Sequence, residues 1–340
     1  MSDLCPTTTT RTEAMLRTAL GPVIGKALAD PDVVEIMANP DGSLWVERHG
    51  SGRAKTETGF TAEETERVVR LVASHVGREA KATTPIVSAE LPGGGERFEG
   101  VLPPVAERAA FSIRKPAARV IGLADYVEAG LLPQATADAL ADAVRARRTI
   151  LVVGGTGSGK TTLANALLEV VADQDERIVI LEDTRELRCE ATDKLCLRTR
   201  PPEVTLADLV RSTLRLRPDR IVVGEVRGAE ALDMLKAWNT GHPGGIATIH
   251  ANSALGGLHR LEQLVGEAAT NVPRHLISEA IDVIIFIAGR GPRRRIEEVA
   301  ETLDFDGGEY RLRPLASSAA RVSPLRVVPL HGQQPKGETP

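Results

Sequence analysis

Apolar and polar positions change their rhythm along the chain, and the change divides it in two. Before about residue 115 the apolar runs are short and mixed. Val33-Val34-Glu35-Ile36-Met37 is rich in β-branched residues, and Asn39-Pro40-Asp41-Gly42 supplies turn chemistry before Leu44-Trp45-Val46, which together predict a hairpin. Thr61 and Glu64 form a capping box ahead of Val68, Val69, Leu71 and Val72, an apolar face at helical spacing. After the loop Pro92-Gly93-Gly94-Gly95, residues 96–102 and 111–114 read as strands. These elements predict a small α+β domain over 13–115, behind a disordered leader over 1–12.

From Lys115-Pro116 the pattern loosens, and 116–132 reads as an interdomain linker, because Pro116 disfavours helix at its predecessor and removes a backbone donor. A helix is predicted from Pro133 to Arg147. The chain then alternates regularly, with strands over 149–153, 177–181, 221–224 and 245–250. Between and after them lie helices over 161–172, 206–217, 229–238 and 255–265, the second stopped by Pro218. Short apolar strands separated by helices predict an α/β domain over 133–330, its parallel sheet covered on both faces. Such sheets bind ligands at the carboxyl ends of their strands. The last stretch, 331–340, reads as a disordered tail.

Composition narrows the possible partners. The 340 residues carry a net charge of −4, which argues against a general nucleic-acid coat, and only 3% are aromatic, so few stacking platforms for single strands are present. No sequence-specific nucleic-acid binding is expected. Cys5, Cys189 and Cys196 form no paired framework and read as cytoplasmic thiols. The longest apolar stretch, Ile281 to Ala288, contains Asp282 and is too short to cross a bilayer, so any membrane contact should be peripheral.

The chemistry is concentrated after the first strand of the second domain. Gly154-Gly155-Thr156-Gly157-Ser158-Gly159-Lys160-Thr161 matches the phosphate-loop pattern at every fixed position, between a strand and a helix, with Thr162 following. Glycines let backbone N–H groups turn inward around an anion, and the helix N-terminus adds partial positive charge. Lys160 would bridge the outer phosphates, and the Thr161 hydroxyl is placed to ligate Mg²⁺, which makes ATP and Mg²⁺ the expected cofactors.

Hydrolysis also needs acidic groups around metal and water. Ile178-Val179-Ile180-Leu181 runs into Glu182, with Asp183 and Glu186 as alternatives, and Ile221-Val222-Val223-Gly224 runs into Glu225. Glu182, Glu225 and His250, which ends the 245–250 strand, are the catalytic candidates, with Glu225 also a metal candidate. His242 and His259 lack that placement and read as structural. Asp219 reads as a turn residue after Pro218. Arg114, at the end of the first domain, is placed to be lent to the nucleotide across the domain gap.

The ordered segments GGTGSGKTT, LEDTREL, LRLRPDRIVVGEVRG and GHPGGIATIHAN resemble the Walker A, Asp box, Walker B and His box of the secretion ATPase superfamily, which serves type II and type IV secretion and type IV pili. DPDVVEIMANPDGSLWVER, RFEGVLPPV, FSIRKP and MLKAWNTGHPGG make the chain more similar to the P-type conjugative transfer ATPases, the TrbB-like proteins. The resemblance covers about residues 20 to 290. It implies a RecA-like second domain and a homohexameric ring with nucleotide between the domains. It also implies peripheral association with the cytoplasmic face of the inner membrane, beside inner-membrane components of a type IV secretion apparatus. By matching position, Glu182 and Glu225 would hold metal and polarise water, His250 would couple to the γ-phosphate, and Arg114 would reach in from the first domain. A type IV pilus motor, a DNA translocase and an ATP-binding scaffold are the rival readings. The absence of a tetracysteine zinc motif and of an AIRNLIRE-like segment favours the conjugative branch.

Overall fold

The computed structural model describes residues 8–49, 51–116 and 121–315. The first domain opens with helix α1 (Thr8–Ala29), kinked at Gly21 ahead of Pro22. Helix therefore starts inside the expected leader, of which residues 1–7 lie outside the described residues. Strands β1 (Val33–Ala38), β2 (Leu44–Arg48) and β3 (Gly52–Lys55) form an antiparallel meander, the first two being the predicted hairpin. Helix α2 (Ala62–His75) carries the predicted capping box: Glu64 N donates to Thr61 Oγ1 at 3.2 Å, and Thr61 N donates to Glu64 Oε2 at 2.8 Å. Strands β4 (Ile86–Glu90), β5 (Arg97–Val101) and β6 (Ala110–Arg114) complete a sheet of order β3-β2-β1-β6-β5-β4. Both helices cover it, burying Leu16, Ile24, Val68, Val69 and Val72 against Ile36, Phe98 and Ile113.

The expected linker is not all linker. Helix α3 (Leu123–Glu128) lies within it, and Leu123, Tyr126 and Leu132 are buried in the second domain's core. Helix α4 (Gln134–Arg145) follows, and then the second sheet begins with β7 (Ile150–Gly154). In chain order come α5 (Lys160–Ala172), β8 (Ile178–Glu182), β9 (Lys194–Arg198), α6 (Leu206–Thr213), β10 (Arg220–Val226), α7 (Glu230–Asn239) and β11 (Ile246–Ile249). The domain ends with α8 (Ala254–Gly266), α9 (Arg274–Ala280), β12 (Val283–Ala288), β13 (Arg295–Asp306) and β14 (Glu309–Pro314). The strand order is β14-β13-β12-β7-β11-β10-β8-β9, parallel from β12 to β9.

The central strands are buried on both faces. Ile150 and Val152 point into a core with α3, α4 and α5, whereas Leu151 and Val153 point into one with α6, α7, α8 and α9. This explains why these strands read as unbroken apolar runs. Two further expectations differ from the structure. The sheet is mixed rather than parallel, because β13 and β14 add an antiparallel hairpin around Gly307-Gly308. Helix α6 ends at Thr213, short of Arg217, because the chain turns there and Arg217 takes a φ of 54°. The expected tail, 331–340, lies outside the described residues.

One close approach sets up the β11 end of the site. Trp238, 3% exposed, donates its indole N–H to Ile221 O at 3.0 Å. A Cβ at Gly245 would stand 2.0 Å from that indole nitrogen, so glycine lets β11 begin directly against the ring. The neighbouring Arg220 is fully buried, paired with Glu176 and donating to Gly244 O at 3.3 Å.

Candidate active site

Strand β7 delivers the phosphate loop to the carboxyl edge of the sheet, and α5 starts at Lys160 with Gly159 as its cap residue. Gly157 and Gly159 have φ values of 73° and 100°, the left-handed region that glycine adopts without strain. Gly154 is buried, Gly155 half-buried, and Thr156 and Gly157 exposed. Ser158 is 2% exposed, and its hydroxyl has no hydrogen-bond partner. Thr161 and Thr162 are half-buried in the first turn of α5.

Lys160 is only 7% exposed. Its Nζ donates to Gly155 O at 3.2 Å and lies 3.3 and 3.2 Å from the two ring nitrogens of His250. Burial pulls its pKa down, with Glu225 and Glu186 pulling the other way and Arg227 and Arg114 adding repulsion. His250 reaches this position because β11 pairs directly with β7. Its pKa is lowered by burial and then by the Lys160 charge, which keeps the imidazole neutral near pH 7.

Strand β10 lies on the other side of β11 and brings Glu225 in. His250 Nε2 stands 2.5 Å from Glu225 Oε1, at ion-pair distance but outside hydrogen-bonding geometry. Glu225 Oε2 accepts from Arg227 Nε at 2.7 Å, so one carboxylate oxygen is held, and the other is buried against the His250 ring without a hydrogen bond.

Strand β8 ends in Glu182, which is 4% exposed. Its Oε1 accepts from the backbone N–H groups of Glu186 and Leu187 at 2.9 and 2.8 Å, so the carboxylate clamps the turn that follows its own strand. Burial pushes its pKa up to about 7 despite these two bonds. That turn carries Glu186 to the phosphate loop, where Glu186 Oε2 accepts from the Thr161 hydroxyl at 3.1 Å. Asn165 on α5 fixes the same turn, donating to Glu186 O at 3.2 Å and accepting from Arg188 N at 2.8 Å.

The first domain closes the cleft. Arg97 Nη1 lies 3.5 Å from Glu186 Oε1, Arg185 N donates to Glu90 at 3.2 Å, and Arg198 pairs with Glu90 at 2.5 Å. Arg114 is exposed and stands opposite Arg97 in the β5–β6 register, near enough for its charge to be felt at Lys160.

The profile of the type II/IV secretion system protein family matches residues 23–291. The chain belongs to that family. It is 48% identical over 298 residues to the conjugal transfer protein TrbB of Rhizobium radiobacter, covering 87% of this chain and 92% of that protein. It is 49% identical over 300 residues to a probable conjugal transfer protein TrbB of Sinorhizobium fredii, covering 87% and 91%. Among solved structures, the pilus retraction motor PilT with bound ADP aligns with a TM-score of 0.58 at 21% identity, covering 86% of this chain and 80% of that one, a likeness of RecA-like fold.

Within this family member, the structure brings Lys160, His250 and Glu225 together around the phosphate loop, and Thr161 together with Glu186. Glu182 instead faces its own turn. Arg97 is a site residue without a sequence signal of its own, although it lies in the same RFEGVLPPV segment that carries the resemblance. Arg290 and Arg294 likewise carry no sequence signal, since their loop has no motif. His242 contacts Pro218 O at 3.1 Å and His259 packs on Tyr310, both structural placements. Asp219 accepts from Arg177 N at 2.8 Å, ordering the chain at the entry to β10.

Proposed function

We propose that this chain hydrolyses ATP in the cleft between its two domains and serves as the motor of a conjugative transfer system of the type IV secretion class. The observation that carries the proposal is the convergence of Lys160, His250 and Glu225 on one phosphate loop, each supplied by a different element of the sheet edge. Electrostatic positioning of this kind supplies most of the catalysis in phosphoryl transfer.

The residues present fit a hard divalent cation beside a triphosphate. The Thr161 hydroxyl, the buried Oε1 of Glu225, which makes no hydrogen bond, and the Glu186 carboxylate are all oxygen donors, and Mg²⁺ needs only one or two of them besides phosphate and water. Thr161 and Glu225 would hold the ion, which when bound neutralises charge on the outer phosphates. Backbone N–H groups of residues 154–162 would wrap the phosphates, with Lys160 leaving the Gly155 carbonyl to reach them. Glu225 would orient the attacking water through Oε1, the oxygen beside His250, while Arg227 holds Oε2 in place. A neutral His250 would report the terminal phosphate to Glu225. Glu182 would act at second hand, holding the turn that aims Glu186. Arg97 and Arg114 would bring positive charge from the first domain to the terminal phosphate as the cleft closes.

The same reading makes the working unit a homohexamer docked on inner-membrane components of the secretion apparatus, from the cytoplasmic side. Among the described residues no helix is long and apolar enough to cross a membrane, which fits peripheral contact. Lys160→Ala tests the nucleotide assignment. ATP affinity is expected to fall by about two orders of magnitude and turnover to vanish, since a buried charge on the phosphates is lost. Ordinary hydrolysis by this variant would refute the assignment.

A further inference from the structure

The site groups that neighbouring strands of this sheet bring to the phosphate loop lie on one side of β7: His250 after β11, Glu225 on β10 and Glu186 after β8. The strand on its other side is β12, and the loop after β12 is densely basic, reading Gly289-Arg290-Gly291-Pro292-Arg293-Arg294 before β13. The loop is folded tightly on itself, with Arg293 N donating to Arg290 O and Arg294 N donating to Gly291 O, both at 3.1 Å. That fold turns two arginines onto the phosphate loop. Arg290 Nε stands 3.5 Å from where a Cβ of Gly157 would sit, and Arg294 Nε stands 2.9 Å from the corresponding point at Gly159.

Arg294 is the better built of the two. It is half-buried, and its Nε–H is buried without a hydrogen-bond acceptor. Tyr126 on α3 lies within reach of its charge. Tyr126 is 2% exposed, and its hydroxyl also lacks a partner. Ser158 Oγ, on the loop itself, is a further unpartnered buried group. Buried donors without acceptors are costly, so a cluster of them beside an anion-binding loop marks a place where ligand oxygens belong. A bare Arg–Tyr packing contact would leave both groups unsatisfied in every state of the protein.

We infer that Arg294, backed by Tyr126, holds the sugar-proximal end of the nucleotide, its Nε–H donating to an oxygen of the α-phosphate or ribose on the β12 side of the loop. This rests on the nucleotide reading above and deepens it. A group there touches what nucleoside di- and triphosphates share, so it sets affinity for both and leaves the chemistry at the terminal phosphate alone. It also ties occupancy of the site to α3, in the segment that joins the two domains.

The test uses the full chain and measures Kd for ADP and for ATP, together with kcat and KM, in wild type, Arg294→Ala, Arg294→Gln and Tyr126→Phe. One charge-assisted hydrogen bond predicts that Arg294→Ala and Arg294→Gln raise Kd for ADP and ATP alike by about tenfold or more, with KM following and kcat within about twofold. Tyr126→Phe should raise both Kd values by about threefold. Arg294→Gln keeps most of the packing stem, so the proposal stands to be judged even where the alanine variant melts early. Unchanged affinities in Arg294→Gln overturn the inference. So does a loss confined to kcat, or to ATP with ADP spared, since either would put Arg294 at the terminal phosphate. If wild type itself binds neither nucleotide, the nucleotide reading falls. If wild type binds both and Arg294→Gln matches it, only this inference falls.

Discussion

Glu182 orders the turn that carries Glu186 without itself facing the phosphate loop. Its folded-state pKa of about 7 stands above the ordinary 4.5, with burial as the cause. A raised acid holds its proton in the fold while the unfolded chain has lost it. The associated stability is therefore full below pH 4.5 and lost as pH rises through about 7. Glu182→Gln keeps an oxygen for the two backbone N–H groups and removes the titration. Its melting temperature should gain on wild type between those limits, by the equivalent of on the order of 2–3 kcal/mol, and level off above them. A gap that stays constant with pH would mean that Glu182 is not buried as an acid. Glu186 and Arg97 complete the residue-scale picture. In the resting protein the Thr161 hydroxyl is occupied by Glu186, and Glu186 is in turn tied to Arg97 of the first domain. A metal ion held by Thr161 would displace or share that bond, and the displacement would pass to the other domain through Arg97.

At the scale of elements, local signals reached a long way. The phosphate loop, the Thr61 capping box and the strand tips bearing Glu225 and His250 were legible because each is written within a few consecutive residues. Elements whose stability comes from distant partners were not. Helix α3 reads as linker in the sequence because its apolar residues, Leu123 and Tyr126, are few and find their core in α4 and the more distant α5. The β13–β14 hairpin joins a parallel sheet from outside the repeating strand–helix pattern, so the alternation gave no warning of it. In the site, Arg97–Glu186 and the approach of Arg294 to Gly159 depend on strands far apart in sequence, and no local rule pairs them. The Trp238–Gly245 contact belongs to this scale as well. Gly245→Ala puts a methyl group into the indole and should cost about 1–3 kcal/mol, lowering the melting temperature by several degrees. An unchanged melting temperature would show that β11 does not depend on the contact.

For the molecule as a whole, polar contacts between the two domains among the described residues include Arg97–Glu186, Arg198–Glu90 and Arg78 to Pro201 O. Polar interdomain interfaces rearrange more readily than apolar ones. The cleft is thus suited to open and close over a nucleotide, with the phosphate loop on one side and Arg97 and Arg114 on the other. In a ring, that movement is what would be harnessed as work. A strand-tracking DNA translocase would instead show ATP turnover stimulated by DNA and strongly suppressed by salt.

The measurement that tests the account most directly is steady-state ATP hydrolysis by Glu225→Gln, taken with ATP affinity on the same preparation. The variant keeps the shape of the side chain and the Arg227 contact while replacing the carboxylate that faces His250 at the phosphate loop with an amide. ATP should bind within about threefold of wild type while kcat falls by about a hundredfold or more. Turnover equal to wild type would contradict the placement of Glu225 at the reacting phosphate, and with it the mechanism built on this site.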